Sequence, residues 1–269
     1  MMKKLLLLLT MLLLTGCNSE AETATEEKKE VTLKIGTLIP PMTEILEVVK
    51  PLMKEEGVNL EIVVLGDNVQ PNNALAHKEI DVNFFQHVPY MEEYNEKNNT
   101  ELVPVQPIYH AVYGAYSKKF KEIDDLPDGA TIAIPNDPTN IGRSLAVLDD
   151  HGLITLKEGV GIQATQADIV ENSHNYKIVE VDLLMLARMM DEADLVLMYP
   201  AYAAPLGLTP KKDALLTEGM ESAFAITLVA RKDNADSEAI QLLAEKMTGP
   251  EVKKFLEEEY SDITLPAFE

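Results

Sequence analysis

The segment from Ile134 to Arg143 carries side chains suited to binding a small anion. A β-branched strand ends at Pro135, and a helix opens around Asn140 after a second proline. Backbone amides at a helix N-terminus attract anions, and Arg143 in the first turn could add a two-pronged grip on a carboxylate. An ordinary Asn/Thr helix cap followed by a surface arginine fits the same residues. The residues alone favour neither interpretation.

A second segment, Asp81 to Tyr90, gathers Phe84, Phe85, His87 and Tyr90 around a strand-to-helix turn. Pro89 stands where the helix could begin. These side chains could form a pocket wall. Aromatic residues at such a turn more often belong to the hydrophobic core, so the segment by itself is an ambiguous signal.

No catalytic motif is present in the chain. The sequence has no G-x-S-x-G elbow, no P-loop and no H-E-x-x-H. An enzyme would need a nucleophile with a base beside it, and we predict no catalytic residue and no cofactor. The five histidines are scattered without a convergent Asp or Glu set. We therefore predict no metal site, with zinc as a minor alternative.

The N-terminus predicts export and lipid attachment. Two lysines precede the apolar run Leu5 to Leu14, which is shorter than the roughly 20 residues that span a bilayer. Leu14-Thr15-Gly16-Cys17 resembles the bacterial lipobox. We expect residues 1–16 to be a signal peptide and Cys17 to carry lipid. The alternative is a plain signal peptide with an incidental cysteine.

Residues 17–30 are polar and charged, which predicts a flexible tether after the lipidated cysteine. Cys17 is the single cysteine of the chain, so a disulfide framework is excluded. The formal charge is −22, with 23 Lys and Arg against 45 Asp and Glu. Because phosphate binding needs clustered cations, nucleic acid is excluded as a partner.

Residues 31–269 alternate between short β-branched runs and amphipathic stretches. We expect a strand over 31–36, helices over 43–56 and 183–190, and a late helix over 237–255 broken at Gly249-Pro250. Strands alternating with helices predict an α/β fold with parallel sheet. The length suffices for one large domain or two lobes.

Several phrases of this chain together resemble the methionine-binding lipoprotein family (the MetQ/NlpA type), and the resemblance extends over residues 31 to 269. The most specific are the Phe-Gln-His-Val-Pro-Tyr run at 85–90 and the Pro-Asn-Asp-Pro-Thr-Asn run at 135–140. Others are Glu44 to Pro51, Tyr116 to Lys119, Leu126 to Ala130 and Asp168 to Asn172.

The resemblance implies the two-lobed periplasmic-binding-protein fold (type II), with the ligand in the cleft between lobes. It places residues 31–112 and 203–269 in the first lobe and 113–202 in the second. It implies an ABC importer's solute-binding lipoprotein, anchored by lipid on the extracytoplasmic face of the cell membrane. Methionine is the default ligand, with a related amino acid or short peptide as the alternative, and the partner is the permease/ATPase complex.

By the same resemblance, Phe85, His87 and Tyr90 lie on the first lobe's pocket wall. Asn140 and Arg143 lie on the second lobe, and Arg143 holds the ligand carboxylate.

The chain departs from the family at several pocket positions. Tyr199 and Ile226 stand where the family has asparagines that help bind the ligand's amino acid backbone. Val112-Tyr113 replaces Pro-Met, and Pro40-Pro41-Met42 replaces Gly-Pro-His.

A buried ammonium without hydrogen-bond partners is costly, so we expect weaker binding of a free α-amino acid. Tyr199 and Tyr113 would narrow the pocket or stack on the ligand. Asp67 or a tyrosine hydroxyl could instead replace the asparagines. As an alternative function, a protein with the same fold could bind an altered ligand or act as a surface adhesin outside transport.

Overall fold

The computed structural model describes residues 31–219 and 223–269. The predicted signal peptide, Cys17 and the tether lie outside the described residues. Within the described ranges, no helix is both long and apolar enough to cross a membrane.

The first lobe is built on a six-stranded sheet with the order β13-β4-β12-β3-β1-β2. Its central strand β3 is buried at all five positions, as expected for a strand covered on both faces. β1 pairs in parallel with both β2 and β3. The strands are β1 (Val31–Thr37), β2 (Val58–Val64), β3 (Val82–Gln86), β4 (Leu102–Ala111), β12 (Ala225–Arg231) and β13 (Thr264–Pro266).

Five helices belong to this lobe. On the longest, Ile45, Leu46, Val49 and Met53 are fully buried, a spacing that places them on one helical face against the sheet. The helices are α1 (Met42–Glu55), α2 (Gln70–Ala76), α3 (Val88–Asn98), α8 (Glu238–Met247) and α9 (Pro250–Glu259). The predicted break of the late helix is confirmed, since α8 ends at Met247 and α9 begins at Pro250. Proline is tolerated at the first position of a helix, where its missing N–H would have no partner in the helix.

The second lobe has a five-stranded sheet with the order β11-β5-β10-β6-β9. A separate two-stranded ribbon pairs β7 with β8. The strands are β5 (Gly114–Tyr116), β6 (Thr131–Pro135), β7 (Thr155–Leu156), β8 (Ile169–Glu171), β9 (Lys177–Val181), β10 (Leu195–Met198) and β11 (Ala214–Thr217). The helices are α4 (Pro138–Asp150), α5 (Leu186–Met189), α6 (Pro200–Ala203) and α7 (Pro210–Asp213).

The chain crosses between the two sheets twice. It leaves the first sheet after Ala111 and enters the second at Gly114, then returns between Thr217 and Ala225. The predicted end of the second lobe at residue 202 is therefore too early. β11 pairs antiparallel with β5 and buries Leu216 in the second lobe's core, so the second sheet runs on to Thr217.

Two other expectations are corrected. Both sheets are mixed. In the first, β12 lies antiparallel to β3 and β4 after the chain returns from the other lobe, and in the second, β5 lies antiparallel to β10 and β11. The helix expected over 183–190 is a 3₁₀ turn followed by the single-turn helix α5. Asp182 caps the turn by accepting a 2.8 Å hydrogen bond from the Leu184 amide.

Candidate ligand-binding cleft

A cavity lies between the lobes, with walls from both of them. The space it encloses is about 640 Å³, open solvent at its mouth included. Aliphatic and aromatic side chains dominate the wall, and no charged side chain of the described residues lines it. Its lining is Leu38, Ile39, Pro41, Met42, Asn68, Phe85, Gln86, His87, Tyr90, Tyr109, Ala111, Asn140, Leu183, Tyr199, Pro200, Ala201, Tyr202, Ile226, Ile263 and Thr264.

The turn from β3 into α3 places three lining residues. His87 is the N-cap of α3, and its Nδ1 accepts a 3.1 Å hydrogen bond from the Tyr90 amide. Tyr90 packs edge-on against Phe85 and donates its hydroxyl to the Asn68 carbonyl at 3.0 Å. The turn is therefore fixed by a cap, a ring contact and a hydrogen bond.

A buried amide network holds the end of β3 from behind. Asn72 and Gln86 exchange two side-chain hydrogen bonds of 2.8 and 2.6 Å. Asn83 donates to Asn72 at 2.9 Å and accepts from Gln86 at 2.9 Å. Because each buried amide has partners, the network gives this strand end one rigid arrangement.

On the second lobe, the N-terminus of α4 is capped by the chain's own carboxylate. Asp137 accepts hydrogen bonds from the Asn140 amide at 3.1 Å and from Asn140 Nδ2 at 2.9 and 3.0 Å. One backbone amide that could attract a ligand anion, that of Asn140, is thus already bonded to Asp137. Asn140 Oδ1 is left to accept from the Tyr199 hydroxyl at 2.8 Å and lies 3.4 Å from His87 Nε2.

His87 joins the lobes as a neutral imidazole. Burial, reinforced by the positive charge of Arg143, lowers the pKa of His87 to about 3. Since Nδ1 accepts from a backbone amide, the proton is on Nε2, which faces Asn140 across the cleft. The ring also packs edge-on against Phe224 with centroids 4.8 Å apart.

Arg143 is placed differently from the other predicted residues. Its side chain is 1 % exposed and lies beside the cavity rather than on its wall. Nε donates to Glu218 Oε2 at 2.6 Å, and Nη2 also pairs with Glu218 and donates to the Ala111 carbonyl at 3.4 Å. Nη1 is buried with no hydrogen-bond partner in the described parts of the chain.

Three aromatic rings surround this guanidinium. Its central carbon lies 4.6, 4.9 and 4.4 Å from the ring centroids of Tyr113, Tyr199 and Phe224, distances at which a cation is attracted to the ring face. Burial by itself would lower the pKa of Arg143, but Tyr199 and Glu218 raise it, and the net direction is upward. Arg143 is therefore a permanent cation paired within the protein.

Six of the eight predicted binding residues line one cavity: Phe85, His87, Tyr90, Asn140, Tyr199 and Ile226. Arg143 and Tyr113 lie outside that lining. The Tyr113 hydroxyl is within 2.8 Å of Ser144 Oγ. Pro41 and Met42, noted for departing from the resembling family, also line the wall. The predicted grip of Arg143 on a ligand carboxylate stays a prediction.

Sequence reasoning missed Tyr109, Tyr202 and Glu218. Tyr109 lies on β4 beside the equally buried Ile108, so a strict alternation of inward-facing residues would not have indicated it. Burial raises the pKa of Tyr202 to about 12. Glu218 had no sequence signal, because its partner Arg143 is 75 positions away.

A surface contact also bridges the lobes. Asp262, just before β13 of the first sheet, pairs with Lys212 at 2.9 Å and with Lys211 at 3.6 Å. Both lysines lie on α7, which leads into the second sheet. These exposed pairs sit at the rim, so they assist closure weakly.

The sequence of this chain matches known proteins over nearly all its described length. The model of the NlpA lipoprotein family matches residues 33–268. The D-methionine-binding lipoprotein MetQ of Salmonella typhimurium is 39% identical over 244 residues, which cover 90% of this chain and 88% of that protein.

Two solved structures show the same architecture. A nutrient binding protein from Burkholderia cenocepacia bound to methionine has a TM-score of 0.85 and 36% identity, covering 88% of this chain and 100% of that one. A periplasmic substrate-binding protein of an ABC transporter from Coxiella burnetii has a TM-score of 0.84 and 35% identity, covering 87% and 100%. The predicted two-lobed type II fold is confirmed.

Proposed function

Because this chain belongs to the NlpA lipoprotein family, we propose that it is the solute-binding lipoprotein of an ABC importer. It captures methionine, or a related small carboxylate-bearing amino acid or short peptide, and delivers it to a permease/ATPase complex. The relatives named for methionine binding and for ABC transport support this assignment.

The observation that carries the proposal is the cavity between the lobes, walled by both of them. A ligand that contacts Phe85 and His87 on one side and Asn140 and Tyr199 on the other stabilises the closed arrangement. Such a ligand shifts the population from open to closed lobes. The closed form is the one that a transporter can distinguish from the unloaded protein.

The apolar part of the wall suits a thioether side chain. Leu38, Ile39, Met42 and Phe85 offer aliphatic and aromatic surface, and sulfur makes favourable contacts with aromatic rings. The polar side chains of the wall include the imidazole of His87, the amide of Asn140 and the tyrosine hydroxyls. They can orient a ligand, and none of them is arranged as an activated nucleophile, which supports binding without catalysis.

The lipobox supports attachment to the membrane. Lipid on Cys17 would hold the capture domain on the extracytoplasmic face of the cell membrane, with residues 18–30 as the tether. A tether of this length keeps the domain near its transporter and raises the effective concentration of loaded protein there.

Titration of the purified protein from residue 18 onward tests the proposal. Native mass spectrometry first identifies any retained small molecule, and calorimetry then measures binding of L- and D-methionine, other amino acids and dipeptides. A ligand at a hundredfold excess over its Kd stabilises the fold by about 2.7 kcal/mol, so thermal unfolding provides a second readout.

A pair of variants localises the site. Phe85→Ala removes a ring from the cavity wall and should weaken binding at least tenfold. Phe255→Ala removes a half-buried ring that packs on Tyr260 in the first lobe, outside the cavity lining, and should leave affinity unchanged. If no amino acid or dipeptide binds, or if both variants bind equally well, capture in this cleft is the wrong function.

A further inference from the structure

Glu218 forms an ion pair with Arg143, a cation that lies next to the cleft. One oxygen of its carboxylate, Oε2, contacts both Nε and Nη2 of Arg143, an ion pair between side chains that are 13 % and 1 % exposed. The pair carries no net charge. An anionic group approaching this guanidinium therefore meets a neutral pair and the like charge of Glu218.

The surroundings keep this pairing in place. Tyr113, Tyr199 and Phe224 contact the guanidinium with their rings, and Tyr199 is also part of the cavity wall. The cavity wall itself offers no cation among the described residues. Arg143 is the cation beside this wall with which a carboxylate in the cleft could pair. Glu218 already holds its Nε and Nη2, and Nη1 is left without a hydrogen-bond partner among the described residues.

We infer that Glu218 is a specificity-determining residue, which lowers the preference of the cleft for a free carboxylate and extends its ligands to amino acids or peptides with a blocked carboxyl group. This inference rests on the proposed function. In chemical terms, replacing the ligand carboxylate by an amide or ester should weaken binding to this cleft only slightly. A site with an unpaired arginine would discriminate strongly, because charge-assisted bonds to a guanidinium are strong.

Calorimetry with L-methionine and L-methioninamide tests the inference, because the two probes differ only at the carboxyl group. We expect the wild-type protein to bind them with affinities within about threefold. Glu218→Gln keeps the shape and removes the charge, so methionine should bind at least tenfold more tightly to that variant, while methioninamide gains nothing.

Glu101→Gln is the matched control, since it removes the same charge from an exposed ion pair with Lys232. It should change neither affinity. Circular dichroism verifies folding of each variant, and if Glu218→Gln does not fold, the wild-type ratio of the two probes decides alone.

The outcomes separate the two proposals. A wild-type preference for methionine above tenfold, or no gain for methionine in Glu218→Gln, overturns the role of Glu218 while capture in the cleft stands. If methionine binds to Glu218→Gln and neither probe binds to the wild type, the role of Glu218 is supported. Methionine and methioninamide are then not ligands of the wild-type protein. If neither protein binds either probe, both proposals are wrong.

Discussion

The hydroxyl of Tyr199 donates a 2.8 Å hydrogen bond to Oδ1 of Asn140, which also faces His87 from the other lobe. Tyr199→Phe keeps the ring against Arg143 and removes this donor. Because a buried acceptor then loses its shorter partner, we expect the free energy of unfolding to fall by about 1 kcal/mol, as measured by urea denaturation.

Tyr94→Phe provides the comparison, since the Tyr94 hydroxyl donates to Asn73 Oδ1 at the same 2.8 Å on the exposed surface. Water replaces that partner, so a change below about 0.5 kcal/mol is expected. Equal losses in the two variants would show that Asn140 does not depend on Tyr199.

The buried His87 makes stability depend on pH in one direction. Its pKa falls from 6.5 to about 3 in the folded protein, so between these values the unfolded chain binds more protons. The contribution is complete above pH 6.5 and is lost as the pH falls, by up to roughly 1.4 kcal/mol per pH unit.

His87→Asn keeps a capping side chain at this position and removes the titration. Stability curves of both proteins from pH 8 to 4.5 should differ by a constant above pH 7. Below pH 6.5 the wild type should lose stability faster than the variant. Parallel curves throughout would contradict a neutral, buried imidazole.

Gly142 is required by the close approach of α4 to the turn at residues 161–163. A Cβ there would lie 1.9 Å from the Ile162 carbonyl oxygen, so Gly142→Ala forces backbone to move. We expect a loss of about 1–3 kcal/mol or more, measured by thermal unfolding.

At Gly66 the nearest atom to an added Cβ is the side-chain nitrogen of Gln70, 3.5 Å away. Gly66→Ala should therefore change stability by less than about 0.5 kcal/mol. A tolerated alanine at position 142 would mean that α4 and the turn are not held this closely.

Cys17 tests the proposed anchor. In cells that express the full chain, Cys17→Ser should abolish lipid attachment and move the protein from the membrane fraction to the soluble or secreted fraction. Labelling with a radioactive fatty acid measures attachment directly. Unchanged membrane association of the serine variant would show that something other than this cysteine holds the protein.

Local signals predicted many elements of the fold. The Phe-Gln-His-Val-Pro-Tyr run indicates a strand end and a helix start within six residues. Its residues alone did not decide between core and pocket wall, and the family resemblance predicted Phe85, His87 and Tyr90 for the pocket. The antiparallel direction of β12 could not be predicted from nearby sequence, because it depends on where the chain returns from the second lobe. The Arg143–Glu218 pair was missed for the same reason, since proximity between α4 and the second crossing is a property of the whole fold.

Arg143 contacts both connections between the lobes. It donates to the Ala111 carbonyl where the chain leaves the first sheet, and it pairs with Glu218 where the chain starts back. One guanidinium on α4 thus links the two chain crossings to each other. We expect a change in its pairing to affect both crossings together, so a single charge couples the two connections between the lobes.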